Sequence, residues 1–281
     1  MGTLFLVATP IGHLEDVTLR ALRVLREAEL VLAEDTRRTR ILLDRHGVSA
    51  RPVSLHAHNE AARIERVLAV LAARGSAALV SAAGTPLDSD PGERLVAAAI
   101  AAGHAVVAVP GASAVLAALS VAGLPTARFA FAGFLPRRAR ERDAWLEAWR
   151  DREETLVLFE SPRRLATTLS RLSEILGDRP ACVARELTKL HEEAARGSLR
   201  ELAARFGAGT RGEVAIVVGG RPQEAATTSA PDLDAAIRAG LAAGEGTREI
   251  ASRLARESGV PRREVYARAL ALREGATRRR E

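Results

Sequence analysis

Three apolar, strand-like runs each stop at a proline- or glycine-containing loop that opens a helical pattern: LFLVATPIGHL (4–14), AALVSAAGTPLDSDPG (77–92) and AVVAVPGASA (105–114). Strand, loop and helix in that order build a parallel sheet whose loops leave from one edge, where open α/β folds bind ligands. The loops start with almost no charge and contain no lysine. That disfavours a nucleoside triphosphate and suits a neutral or cationic ligand.

With 281 residues the chain can bury a substantial core and is expected to hold two domains and a small third. Residues 95–124 carry no formally charged side chain, yet Gly103, Pro110, Gly111 and Gly123 cut them into helix, strand and helix rather than a membrane span. The amino terminus lacks a basic region and reaches Pro10 early, so it reads as a strand and not a signal peptide. The one cysteine, Cys182, sits in an apolar run and reads as a buried, inert thiol in a reducing, cytoplasmic setting. Net charge is +6, with Lys189 the only lysine. Arginine can serve phosphate or can reflect compositional bias, and charge alone does not decide.

In the first domain, 1–123, strands near 4–8, 30–33, 52–55, 77–81 and 105–108 alternate with helices near 17–28, 37–46, 59–73, 91–102 and 113–121. The second, 124–220, has more strands than helices, so a mixed sheet is expected there. Its strand-like runs are FAFAGFLP (129–136), TLVLFE (155–160), ACVARELT (181–188), 191–197 and EVAIVV (213–218), with helices at 138–150, 163–176 and 198–205. Residues 221–231 have the composition of a flexible linker. The last stretch, 232–281, reads as a helix-turn-helix-like module. Thr247 caps a helix at 248–258, Gly259-Val260-Pro261 turns, and a helix follows at 262–273. Ile250, Leu254, Val260, Val265, Ala269 and Leu272 form its apolar face. With 11 arginines against 8 carboxylates, this module suits either a nucleic-acid-binding helix pair or a solvated dimerisation cap.

Spacing excludes several common sites. There is no GxxxxGK[ST], no GxGxxG after a strand and no GxSxG elbow. His56, His58 and Glu60 lie close together, but no further histidine stands at a useful spacing, so no metal is expected. What remains is a crevice of backbone amides, small residues and prolines, shaped for a flat base and a folded chain. Asp88 and Asp90 can accept hydrogen bonds there from ribose hydroxyls or an amino group. Ordinary βα turns use the same glycines and prolines.

At these residues the chain resembles a known family. ATPIGHLEDVTLRAL, AEDTRRTRILL, HAHNE, SAAGTPLDSDPG, VPGASA, GFLPR, FESPRR, ARELTK and GEVAIVV occur in the order of the 16S (small-subunit) ribosomal RNA cytidine-2′-O-methyltransferases. These form a branch of the tetrapyrrole-methylase-like (class III) superfamily that uses S-adenosylmethionine (AdoMet). The resemblance covers about residues 3–220. It implies a two-lobed α/β fold, with a mainly parallel first sheet and a mixed second one, followed by the helical module. It also implies a cytoplasmic homodimer acting on a cytidine ribose near the decoding centre of the small ribosomal subunit, with neither membrane nor metal. Carried over by motif, the cofactor-binding residues are Pro10; Ala83, Gly84, Thr85, Pro86, Leu87 and Asp90; Val109, Pro110, Gly111, Ala112 and Ser113; and Phe134, Leu135, Glu213 and Ala215. Methylation of a tetrapyrrole or other small molecule, and a catalytically weak RNA-binding assembly factor, are the alternative functions.

The chain departs from the family pattern where His13 replaces the usual asparagine, Ala82 an aspartate and Ala112 a frequent proline. Candidates for proton removal or hydroxyl orientation are Asp35, Glu160, Glu186 and His58. Asp35 with Arg37 can orient a hydroxyl and hold a phosphate, or can cap a helix with a charged first turn. Arg185, Glu186 and Lys189 mark the end of a strand in ARELTK, with Lys189 suited to RNA phosphate. Arg137, Arg138, Arg140 and Arg142 make a basic patch or a solvated helix face.

Overall fold

Short apolar runs between helical patterns become strands covered on both faces. The computed structural model describes residues 1–56, 59–87, 91–222 and 230–277, which divide into the units Met1–Arg221 and Pro222–Glu281. The first unit begins β1 (Thr3–Val7), a 3₁₀ turn (Leu14–Asp16), α1 (Leu19–Glu27), β2 (Leu30–Ala33), α2 (Thr36–Arg45) and β3 (Val53–Ser54). It continues α3 (Glu60–Ala72), β4 (Ser76–Val80), α4 (Glu93–Ala101), β5 (Ala105–Val109) and α5 (Ala114–Ala122). These five strands pair in parallel in the order β3-β2-β4-β1-β5. Alternation along β2 serves both faces: Val31 and Ala33 pack with Leu25 and Leu43, Leu30 and Leu32 with Val67, Leu71 and Leu95.

The second sheet contains β6 (Phe129–Phe134), β7 (Thr155–Glu160), β8 (Pro180–Arg185), β9 (Glu193–Ser198) and β10 (Val214–Val218). Helices α6 (Ala139–Glu147), α7 (Leu165–Leu176) and α8 (Leu199–Arg205) alternate with them. Its order is β6-β7-β10-β8-β9, parallel only between β6 and β7. Leu146, Leu169, Leu172 and Leu202 cover one face. The other face takes α5, whose Val115, Ala118, Leu119 and Ala122 pack with Ile11 onto Val157, Cys182, Ala184, Ala215 and Val217. Burying a valine or leucine contributes about 1.5–3 kcal/mol each, so this cluster joins the two sheets firmly. Cys182 is fully buried in it, and burial pushes its thiol pKa up; it is inert, as its apolar run implied.

Helices α9 (Ala230–Ala242), α10 (Thr247–Ser258) and α11 (Arg262–Thr277) form the second unit around Leu233, Ile237, Ile250, Leu254, Val265 and Ala269. Two sequence readings need correction here. Helix α9 begins inside the stretch read as a linker, and Gly246, not Thr247, caps α10, its N–H donating to Glu249 Oε2 at 3.2 Å. Gly259 closes α10 in the left-handed region, φ 70°. Among the described residues no helix is long and apolar enough to cross a membrane.

Candidate active site

β4, β1 and β5 are neighbours, so the three loops that leave their ends lie side by side. Backbone bonds knit them. Thr9 N–H donates to Gly84 O at 2.9 Å, Gly84 N–H returns to Thr9 O at 3.0 Å, and Ala8 N–H reaches Val109 O at 3.1 Å. Ser81 Oγ donates to Gly84 O at 2.7 Å and Thr85 Oγ1 to Ala112 O at 3.3 Å. Gly84 holds φ 87°, and a Cβ at Gly111 would stand 2.9 Å from Ala8 Cβ, so both positions exclude side chains. Ser113 caps α5 by accepting from Leu116 N–H at 3.5 Å.

Beside these loops, a cavity of about 480 Å³ opens between the two sheets. That volume lies within the range of small-molecule sites. Ile11, Ala83 and Ala114 line it from the first sheet's side, and Phe134, Phe159, Leu187 and Ala215 from the second. Phe134 is 57% exposed, with its ring 5.8 Å from that of Phe159. Its charged wall consists of Glu34, Arg38, Glu160 and Glu213. A smaller adjoining cavity, about 210 Å³, is lined by Pro10, Gly12, Ser81 and Lys189, and shares Ile11, Arg38, Ala82 and Ala83 with the larger.

Among the residues singled out from the sequence, Ala83, Phe134, Glu160, Glu213 and Ala215 meet at the larger cavity, and Pro10, Lys189 and again Ala83 at the smaller, while Gly84–Leu87 and Val109–Ser113 line neither. Leu135 is instead buried in the core of the second sheet. Asp88, Asp90 and His58 lie outside the described residues.

The charged candidates are mostly engaged with protein. Asp35 caps α2: Oδ1 accepts from Arg37 N–H at 2.9 Å and Arg38 N–H at 3.2 Å, and these bonds, Arg38's first, hold its carboxyl below the usual range. Glu160, 3% exposed, accepts from Ser161 N–H, Arg164 Nε and Nη2, and Thr168 Oγ1 at 2.7–2.9 Å. With both oxygens doubly occupied it serves as an anchor for the β7–α7 turn. Arg185 pairs with Glu193, which also holds Arg205 at 2.6 Å. Arg37 projects into solvent with its side chain 92% exposed.

The ARELTK segment forms a latch between the sheets. Lys189 Nζ donates to Glu186 Oε1 and Glu213 Oε2, both at 2.9 Å, while Arg38 of α2 reaches Glu213 Oε1 at 3.2 Å. Burial disfavours the Lys189 charge, but the two carboxylates prevail and raise its pKa. Thr188 Oγ1 accepts the His13 N–H at 3.0 Å. The His13 ring caps the 3₁₀ turn through Glu15 N–H at 3.3 Å, a task that asparagine performs equally well.

The sequence reading passed over two residues. Glu34, one position before Asp35, lines the larger cavity beside Ala82, and its carboxylate has no hydrogen-bond partner among the described residues. Arg38 lies beside it on the cavity wall. The signal was the strong N-cap preference of aspartate, which assigns Asp35 to the helix and releases its neighbour.

Residues 3–203 match the family of Tetrapyrrole (Corrin/Porphyrin) Methylases. A protein of Mesorhizobium japonicum described as "Ribosomal RNA small subunit methyltransferase I" is 46% identical over 274 residues, 96% of this chain and 92% of its own. The chain belongs to the tetrapyrrole methylase family. A Thermotoga maritima relative with the same description is 44% identical and is matched over 100% of its length by 79% of this chain. The fold recurs in uroporphyrin-III C-methyltransferase of Thermus thermophilus, crystallised with S-adenyl homocysteine (TM-score 0.56, 23% identity, 78% of this chain and 97% of that one).

As a member of this methylase family the chain is an AdoMet-dependent methyltransferase. The residues present fit the cofactor. The small side chains of Ala82, Ala83, Ala114, Ala184 and Ala215 on its wall leave room for it, the phenylalanine pair offers a face for a flat base, and carboxylates outnumber cations on the cavity wall, which suits a sulfonium.

Asp35, Glu186 and Glu193 all ionise more readily in the fold than in the unfolded chain. Arg38 N–H lowers the first, Lys189 the second and Arg185 the third. The stability they add is present at neutral pH and is lost as pH falls through their depressed values, below about pH 4. Urea unfolding midpoints should therefore drop through that window. In Lys189→Met the part due to Glu186 should shrink, leaving what the Glu213 N–H and Arg185 supply.

Proposed function

We propose that the chain methylates the ribose 2′-hydroxyl of a cytidine in 16S ribosomal RNA near the decoding centre of the small ribosomal subunit. The observation that carries this is the 46% identity to a small-subunit ribosomal RNA methyltransferase over 96% of the chain, with a cofactor-sized cavity where the matched motifs meet. When bound, AdoMet supplies an electrophilic methyl and leaves as a neutral thioether. The loops of Gly84–Leu87 and Val109–Ser113, with Pro10, Ala83, Phe134, Glu213 and Ala215, hold it in the cleft. Glu34 orients the hydroxyl and accepts its proton as the O–C bond forms, standing next to Ala82, where the family pattern resembled has an aspartate. Arg37, exposed at the start of α2, meets RNA phosphate. Alignment contributes most of the rate, since positioning is worth more than a general base alone.

A homodimer is part of this reading. Support comes from the exposed apolar side chains Ile100, Leu116 and Phe129, close in sequence to the edge strands β5 and β6. The substrate sets the reaction in the cytoplasm. The test is transfer of label from AdoMet to purified small subunits, followed by nuclease digestion. Label in a 2′-O-methylcytidine is the expected result. Label in a base, or in a porphyrinogen offered instead, would overturn it.

A further inference from the structure

The helical unit carries a charge imbalance that its own contacts do not cancel. Asp234 and Glu264 pair with Arg268 at 3.9 and 3.4 Å, and Glu245 and Glu257 with Arg253 at 3.0 and 3.4 Å. Glu249 is taken by the start of α10. These are the carboxylates of the unit whose side chains are described, and two arginines plus a helix cap absorb them all. Arg248, Arg256, Arg262 and Arg263 stay exposed, with no ion-pair partner among the described residues.

All four are exposed, two on α10 and two at the start of α11. On α10, Arg256 stands opposite the buried Ile250, Ala251 and Leu254, and Arg248, two turns earlier, flanks that buried face. Arg256 stands in the last turn of α10, and Arg262 and Arg263 open α11 after a turn of only three residues, so three arginines flank one corner of the chain. Cations in the first turn of α11 oppose the helix dipole and cost the unit stability. An anion laid across the corner reverses that cost.

Two further observations decide the occupant. The Thermotoga maritima relative is matched completely by 79% of this chain, which leaves about a fifth without a counterpart, the share that this unit occupies. A stretch of this length is thus absent from a relative with the same description. A second copy of the same ridge would also meet it with like charge, which argues against self-association there.

We propose that the arginine ridge of Arg248, Arg256, Arg262 and Arg263 docks phosphates of the substrate RNA, adding affinity without taking part in methyl transfer. This rests on the reading of RNA as substrate. The test compares full-length wild type with the triple variant Arg256→Gln, Arg262→Gln, Arg263→Gln and with the matching lysine variant. KM for small subunits should rise about tenfold in the glutamine variant, with kcat within about twofold. The lysine variant should keep most of the affinity. The slope of log affinity against log salt should become shallower by about 0.7–0.9 per lost phosphate contact.

Unchanged KM and slope overturn the proposal. So does a loss of dimer on sedimentation, which would make the ridge a contact between copies. If wild type fails to methylate the subunits, the function proposed above falls instead. Filter binding of labelled small-subunit RNA then still decides the ridge: weaker binding by the triple variant supports it, and equal binding overturns it.

Discussion

Ala83→Trp leaves the protein folded and removes its cofactor binding. Ala83 lines both cavities at the junction of the knitted loops and is not part of any packed core cluster. An indole there occupies the space that a bound ligand must fill. Because such sites bury most of a ligand's surface, the ligand cannot slide aside. AdoMet affinity should fall at least about 100-fold, or about 2.7 kcal/mol. The melting temperature should move little, since the new ring enters free volume rather than displacing neighbours. Calorimetric titration with AdoMet and a thermal melt by circular dichroism read the two quantities separately. Wild-type affinity in this variant would move the cofactor to another part of the molecule.

Glu34→Gln and Asp35→Asn differ by one position and should give opposite results. Glu34 faces the cavity without a hydrogen-bond partner among the described residues, so its carboxylate can take a proton. Its amide cannot. kcat should drop by about 10²–10⁴-fold, the range of a lost general base, with AdoMet affinity nearly unchanged. Asp35→Asn should retain activity, because asparagine is an equally good N-cap for α2. Asp35→Ala should instead cost about 1 kcal/mol of stability with kcat preserved. Single-turnover rates measured with prebound AdoMet separate chemistry from binding. If the Asp35 variants carry the larger kinetic loss, the roles of the two carboxylates are exchanged.

The first sheet was legible because parallel strands buried on both faces appear as unbroken apolar runs, and each run ended in a turn signal. The loops were legible for a similar reason: Gly84 holds a positive φ and Gly111 packs close against Ala8 Cβ, so glycine marks both positions. Helix α9 was not, because its first residues, Ala230-Pro231-Asp232, follow a Ser/Thr/Ala stretch with linker composition and tertiary packing of Leu233 and Ile237 overrides that local signal. Neither was the engagement of Glu160. Arg164 and Thr168 follow it at i+4 and i+8, a helical spacing that returns both side chains to the carboxylate once α7 forms. Lys189 was picked out as unusual and read toward RNA. Its ammonium is spent between Glu186 and Glu213, partners more than twenty residues apart in sequence that only the β8–β10 pairing brings together.

The docking of α5 on the second sheet has a consequence for how the chain is made. The helix ends at Ala122, yet β8 and β10, which cover its apolar side, begin only at Pro180 and Val214. During translation an alanine- and leucine-rich helix therefore emerges long before its cover does. The amino-terminal half must wait in a sticky, unfinished state, and chaperone capture is most valuable to this protein in that interval.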